Sequence, residues 1–288
     1  MIGGLQGGSV RVVSDFQFPI AQPWALESAS QPAITETVSL TAPTPVTYVR
    51  AQDVNTCQIF QKQVSISYAK QSVTGQVTAD ATTGLIDITD GQPVQNERDF
   101  QIAANMRQLA IDVEYTFLNG AYQQMIDSDT APKTRGIITA CTTNTVAAGS
   151  AALSKDHINE LLQEMATTGS EFRNMVLFCN AFQKTAISEL YGYAPMSRSV
   201  GGVNVVQIET DFCMLGIVWA PRVPAATILI ADMAVVSPVF LPVPGMGVLF
   251  YEELSKTGAS EKGQIYGQIG LDYGPEEFHG TVTGLATS

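Results

Sequence analysis

The segment from Asn96 to Ile126 carries the longest helix period in the chain, and few folds can house it. Ile102, Met106, Leu109, Val113 and Phe117 recur at steps of three or four, so they line one stripe of a helix. A second stripe runs beside it: Phe100, Ala104, Ile111, Leu118, Tyr122 and Met125. A helix apolar over so wide an arc must be covered on more than one side. Asn96 is a suitable N-cap, Glu97 and Asp99 put carboxylates where the helix dipole favours them, and Pro93 blocks extension backward. Asn119-Gly120 offers a stop, although Ala121 to Ile126 can carry the helix on. From Glu97 to Leu118 the rise is roughly 33 Å at about 1.5 Å per residue. The spacing predicts a spine helix over about residues 96–126, with Met106 and Val113 in the core. A Met106→Asp change is then expected to bury an unpaired carboxylate.

Composition narrows what such a spine serves. Among 288 residues, 45% are hydrophobic and only 15% charged, well below the roughly 25% of an average soluble domain. So sparsely charged a surface points to partners that cover it. The net charge of −12 comes with no basic run, which argues against sequence-independent gripping of phosphate backbones. Cys57, Cys141, Cys179 and Cys213 are scattered, without a CxxC pair, and read as small buried hydrophobes. No basic-then-apolar leader opens the chain. Met233 to Tyr251 is uncharged, but Pro238, Pro242, Pro244, Gly245 and Gly247 make it strands and turns; no membrane partner is expected.

Residues 1–30 hold glycines, prolines and isolated large apolars without a period. Phe16, Phe18, Ile20, Trp24 and Leu26 look like anchors, so the arm is expected to lie on a neighbouring surface. Thr35–Leu40 and Val46–Val49 read as a projecting β-hairpin, and Ile59–Tyr68 alternates as a half-buried strand. Thr74–Gln92 is a polar excursion with one short strand, Leu85–Ile88. From Ile137 strands alternate with shorter helices. Ser154 caps a helix that Gly169 stops near Thr168, and Asn180 caps another over Ala181–Tyr191. Strands are expected at Met175–Cys179, at Val203–Ile208 and Cys213–Trp219 as a hairpin, and at Thr227–Ile230, Val235–Val239, Val248–Tyr251, Gly263–Tyr273 and Thr281–Leu285.

No constellation for catalysis emerges. His157 and His279 sit in no HExxH and near no cysteine, and read as solvated side chains. GxSxG, GxxxxGK[ST] and GxGxxG are absent. Glu252-Glu253 and Glu276-Glu277 are acid pairs of the kind glycosidases use, but adjacent acids in loops read as solvated surface. No enzyme activity, cofactor or metal is expected.

The order of these elements resembles the major capsid protein of tailed bacteriophages, the Hong Kong-97-type fold. The residues carrying the resemblance are Asn55-Thr56-Cys57-Gln58-Ile59-Phe60, Val64-Ser65-Ile66-Ser67, and the spine from Glu97 through Ile102-Ala103 to Ile111-Asp112-Val113-Glu114. Thr134-Arg135-Gly136, Asn180-Ala181-Phe182-Gln183-Lys184, Thr210-Asp211-Phe212, Pro221-Arg222-Val223-Pro224 and Ile228-Leu229-Ile230-Ala231-Asp232 follow in the same order. Thr74–Gln92 is an insertion relative to that pattern, and Cys213 stands where a glycine is usual. The resemblance implies an α+β fold with an N-terminal arm (1–30), an E-loop (31–58), a P-domain (59–131 and 252–288) holding the spine, and an α/β A-domain (132–251). It also implies self-assembly as pentamers and hexamers into an icosahedral head, with portal, scaffold or cement proteins as further partners. Double-stranded DNA would be held by enclosure, not by specific binding. Phe16, Phe18, Trp24, Met106 and Val113 are the candidate assembly residues. The alternatives are the shell of an encapsulin-like nanocompartment and a tail-tube subunit.

With its acidic balance, the isolated chain is expected to bind duplex DNA poorly at physiological salt, since it lacks the counterion-release term that dominates non-specific affinity. Arg11 and Arg50 offer only local contacts. Fluorescence anisotropy against salt checks this, and a steeply salt-dependent micromolar affinity contradicts it.

Overall fold

The computed structural model describes residues 10–21, 31–43, 53–72, 75–79, 86–90, 97–192, 206–256 and 258–287, with the backbone alone over 75–79 and 86–90. In chain order its elements begin with β1 (Arg11–Val12), β2 (Gln17–Ile20), α1 (Glu36–Ser39), β3 (Asp53–Thr56), β4 (Gln58–Ser67), α2 (Tyr68–Ser72), β5 (Gly75–Ala79) and β6 (Ile86–Asp90). The spine α3 (Glu97–Asn119) follows, then α4 (Ile137–Ala140), β7 (Thr145–Ala147), α5 (Lys155–Thr168), β8 (Met175–Cys179) and α6 (Ala181–Tyr191). Last come β9 (Gln207–Glu209), β10 (Met214–Trp219), β11 (Ile228–Asp232), β12 (Ser237–Phe240), β13 (Leu249–Leu254), β14 (Ser260–Asp272), a 3-10 turn at Glu276–Phe278 and β15 (His279–Thr283). The chain divides into two compact units, one of residues 1–18, 56–136 and 237–271, the other of 19–55, 137–236 and 272–288.

The first unit is built on β14. It pairs antiparallel with β4 over ten residue pairs, from Ser260 opposite Ser67 to Ile269 opposite Gln58, and with β13 on its other edge. The sheet continues through β12 to β1, which runs parallel to β12. Phe60, Val64 and Ile66 of β4 turn inward, and α3 lays Leu109, Val113, Thr116 and Phe117 against the strand. These helix positions follow steps of four, three and one, so they form one stripe. Lys62 of β4 reaches Asp112 of α3 at 2.7 Å, a half-exposed pair worth little by itself.

The spine is shorter than its sequence period. It ends at Asn119, and residues 121–126 are not helical; Gln123 instead bridges antiparallel to Lys133. Asn96 lies outside the described residues. The cause of the stop is tertiary. Thr134-Arg135-Gly136 returns so close to the helix end that a Cβ on Gly136 would sit 2.6 Å from the Leu118 carbonyl oxygen and 2.7 Å from the Gly120 nitrogen. The Gly136 N–H donates to the Gly120 carbonyl at 2.8 Å. The Thr134 hydroxyl accepts from the Leu271 N–H at 3.2 Å, and the Arg135 guanidinium lies 4.9 Å from the Tyr122 ring centre. The motif ties the helix end to the end of β14.

Burial along the spine also departs from the period. Val113 is 1% exposed, as expected, but Met106 is 37% exposed and no residue before Leu109 is buried. The first three turns extend beyond the cover that β4 provides.

The second unit is a six-stranded mixed sheet of order β7-β15-β11-β8-β10-β9. Helix α5 packs Ile158, Leu161, Leu162 and Met165 on it, over Leu177, Ile228, Ile230 and Val282. Gly280 of β15 allows that approach, because a Cβ there would stand 2.7 Å from Leu161 Cδ1. Both helix caps read from the sequence hold. The Ser154 hydroxyl accepts from the His157 N–H, Gly169 closes α5 in the left-handed region at φ 92°, and Asn180 accepts from the Gln183 N–H at 2.9 Å. The β9–β10 hairpin is antiparallel, with Thr210 accepting from the Cys213 N–H at 3.1 Å. Cys213 is not in the positive-φ region, so the turn needs no glycine.

Several boundaries move. Thr35–Leu40 is not a strand: the Thr35 side chain caps α1, accepting from the Val38 N–H at 3.3 Å, and local capping overrides β-propensity. Strand β3 pairs with β2, not with a hairpin partner among the described residues 31–43; Val46–Val49 lies outside the described residues. The freestanding hairpin among the described residues is β5–β6, from Gly75 opposite Asp90 to Ala79 opposite Ile86, within the segment read as a polar excursion. Residues 137–140 open the second unit as a short helix, not a strand. Residues 237–251 belong with the spine, while 272–288, expected with the spine, join the second unit through β15.

Val113→Asp and Met106→Asp separate the two parts of the spine. Val113→Asp is expected to cost several kcal/mol and leave little folded protein, whereas Met106→Asp should stay within about 1 kcal/mol of the parent. Urea titrations followed by circular dichroism check this; equal losses would contradict the observed burial.

Candidate assembly surfaces

The chemically capable side chains are committed to the fold. His279 is fully buried, against the expectation of a solvated side chain. Its Nδ1 accepts from the Asp232 N–H at 3.2 Å and its Nε2–H donates to the Tyr273 carbonyl at 2.5 Å, which fixes the neutral ring. Burial holds its pKa below the ordinary histidine value. Asp232, also buried, accepts from the N–H groups of Arg173 (3.3 Å), Asn174 (3.1 Å) and Ala234 (2.9 Å). Asn144 donates to the carbonyls of Glu277 and His279, and Gln183 to those of Ala225 and Ala286. His157, half-buried, completes the capping box of α5.

Three of the four paired acids are equally occupied, whereas Glu277 Oε2 is buried without a hydrogen-bond partner and burial holds that carboxyl's pKa above the ordinary glutamate value. Glu276 accepts from the backbone and hydroxyl groups of Thr142 and Thr143, Glu253 pairs with Arg98, and Glu252 accepts from Gln264 at 2.9 Å. Burial pushes the Cys57 thiol up to about 12 and the Cys179 thiol to about 11, so neither is a thiolate near neutrality. Among the described residues no three His, Cys, Asp or Glu side chains converge to hold a metal ion, and no helix is long and apolar enough to cross a membrane.

What the chain offers instead is uncovered apolar surface. On α3 the stripe Phe100, Ala104, Ile111 and Tyr115 faces away from the buried Leu109 and Val113, and apart from half-buried Ile111 its residues are exposed. Residues 31–43 are exposed throughout, including Ile34, Val38 and Leu40 at 67%, 59% and 84%. On the second unit Met214 and Val218 alternate with the inward Leu215 and Ile217 of β10, and Trp219 ends the strand exposed. Exposed apolar surface of this extent marks interaction sites.

The five candidate assembly residues do not gather in one place. Phe18 is buried in its own subunit beside Gly270 and Cys57, with the Arg11 guanidinium 5.7 Å from its ring centre; Phe16 is half-buried. Residues 10–20 therefore lie on their own chain, β1 pairing with β12, and the expectation of a neighbour-held arm fails for this stretch because the sheet edge at β12 supplies the backbone partners. Trp24 and Leu26 fall outside the described residues. Val113 is core, and Met106 alone of the described four is well exposed. Sequence reasoning missed Ile34, Val38 and Leu40, whose spacing it took for a strand, and the outer face of β10, where MLGIVW is apolar on both faces.

The fold is that of subunits of closed protein shells. It superposes on the capsid subunit of cyanophage A-1(L) with a TM-score of 0.67 at 10% identity, covering 100% of this chain and 93% of that one. A subunit of the empty GTA particle capsid gives 0.63 at 13%, covering 98% and 89%. The SrpI encapsulin of Synechococcus elongatus PCC 7942 gives 0.59 at 11%, covering 97% and 85%. At family level, residues 2–286 match the SU10 major capsid protein model, and the chain belongs to that family. It is a structural capsid protein, not an enzyme, of the α+β Hong Kong-97-type expected from its motifs. No curated protein sequence matches the chain.

The buried histidine makes stability pH-dependent in a defined direction. Above about pH 6.5 the ring is neutral folded or unfolded and costs nothing. Below it, the unfolded chain takes up a proton that the folded chain refuses, so stability falls with pH by up to ~1.4 kcal/mol per unit. Melting temperatures from pH 7.5 to 5 should drop more steeply for the parent than for His279→Gln, which cannot titrate. Parallel slopes would show that this ring does not govern the acid limb.

Proposed function

We propose that the chain tiles an icosahedral phage head as pentamers and hexamers around double-stranded DNA, and that heads assemble in the host bacterial cytoplasm. The observation that carries this reading is the uncovered apolar face of the spine in a chain of a self-assembling capsid family. In this reading the first unit is the P-domain and the second the A-domain that converges on capsomer axes. The projecting role assigned from sequence to 31–58 passes to the β5–β6 hairpin, since that ribbon pairs with no other sheet among the described residues.

Shell strength would come from many contacts of ordinary size repeated by symmetry, not from one strong site. A net charge of −12 fits DNA held by enclosure. Portal, scaffold or cement proteins would meet the outer apolar surfaces, and the reading gives no role to a membrane. An encapsulin-like shell rests on the same fold, and the family match favours the phage head over it.

Negative-stain microscopy and sedimentation of the purified chain test the proposal. Closed particles of uniform size are expected, alone or with a co-expressed scaffold. Stacked rings would mark a tube protein, and small closed shells that copurify an enzyme and exclude DNA would mark a nanocompartment.

A further inference from the structure

On the second unit one face of the sheet stays open at β10. Leu215 and Ile217 turn into the core shared with α5, so Met214, Gly216 and Val218 lie on the opposite face. Met214 and Val218 are exposed, and Gly216 leaves a hollow between them. A Cβ on Gly216 would meet nothing nearer than the Met175 carbonyl oxygen at 3.8 Å, with Val176 Cγ2 at 4.0 Å. Phe212, exposed at the turn that leads into the strand, stacks on Phe172 with ring centres 6.1 Å apart. Phe172 holds φ at 47°, a left-handed backbone uncommon for an aromatic residue, so the stack is fixed against local strain. From Phe212 to Val218 this makes an ordered apolar strip about 20 Å long, with a hollow in it.

The rim of the strip is acidic. Glu209 stands directly opposite Met214 in the β9–β10 register, so it shares that face, and Asp211 lies in the turn beside Phe212. Both carboxylates are exposed, and neither has a hydrogen-bond or ion-pair partner among the described residues; Glu171, next to Phe172, pairs instead with Arg173. An apolar strip with two unneutralised carboxylates is complementary to a partner that brings apolar side chains and cations together. A second copy of this chain is poorly suited to that role. Lys62, Lys70, Arg98, Arg173 and Lys256 already pair with carboxylates, and Arg11, Arg135 and Lys155 lie over aromatic rings. With 27 acidic residues against 15 basic, copies meeting here would set negative charge against negative charge.

We propose that the outer face of β10 docks a basic, apolar segment of a different protein. Its apolar side chains lie against Met214 and Val218, one of them seated over Gly216, and its cations face Glu209 and Asp211. The inference rests on the shell reading above and deepens it, because it gives one surface of the subunit to an accessory protein and not to a neighbouring copy.

The probe is a fluorescent amphipathic peptide of leucine and lysine, titrated by anisotropy against free subunits and against assembled particles, with a leucine–glutamate peptide of the same pattern beside it. The lysine peptide is expected to bind and the glutamate peptide to stay free. Gly216→Val fills the hollow with a residue suited to a strand, and Glu209→Lys reverses the rim; each should weaken binding roughly tenfold while leaving circular dichroism and particle yield as in the parent. Glu160→Lys, the same charge change on the exposed side of α5, should leave binding unchanged. A lysine peptide that does not bind, binding that ignores Gly216→Val, or binding that falls as far with Glu160→Lys would overturn the proposal. So would loss of particles in folded Gly216→Val, which would assign the face to a contact between copies. If the parent forms no particles under any condition the shell reading fails, while the titration of free subunits still decides the docking.

Discussion

The structure depends on one packing event, the C-terminal half of α3 against β4. Leu109, Val113 and Phe117 are buried on the helix and Phe60, Val64 and Ile66 on the strand, and β14 holds β4 in place through ten backbone pairs. Buried apolar area of this kind contributes roughly 25 cal/mol per Å², enough to fix a helix whose N-terminal turns have no cover of their own. The helix carries two apolar faces and its own chain buries one. That mismatch is what a subunit of a larger assembly requires: a fold complete enough to exist alone, with a surface that is not.

The polar groups serve the same end. Thr134, Arg135 and Gly136 stop the spine and anchor β14, so a short motif that reads as a loop signature is a joint between helix and sheet. In the second unit Asp232, His279, Asn144 and Gln183 are buried and spend their hydrogen-bonding capacity on backbone groups where strands end and loops cross. A histidine between an amide N–H and a carbonyl has no lone pair or proton left for chemistry. The same residues that suggest a site in a sequence act here as fixed struts, and removing one would leave its partners unsatisfied.

Much of this was legible in the residues. Helix α5 with its Ser154 and Gly169 ends, α6 behind Asn180, and β8 follow from capping and periodicity because those signals are local. The spine's existence was legible too, and Asn119-Gly120 offered its stop, but the apolar period runs on to Ile126, and what decides between the two is Gly136 folding back onto the helix end. Met106 reads as core by spacing and lies in the open because no strand reaches that turn. Periodicity tells which residues share a face, not whether the chain covers it. For an assembling subunit that difference holds the function, so Ile34, Val38, Leu40 and the stripe from Phe100 to Tyr115 emerged only from the folded chain.

Amide hydrogen exchange along α3, compared between unassembled subunits and closed particles, tests the central claim most directly. Exchange reads local opening, which follows the packing of each turn. The account predicts that amides from Leu109 to Leu118 are protected already in the free subunit, whereas those from Gln101 to Gln108 gain protection only on assembly. Uniform protection along the whole helix before assembly would contradict it, because the spine would then need no neighbour.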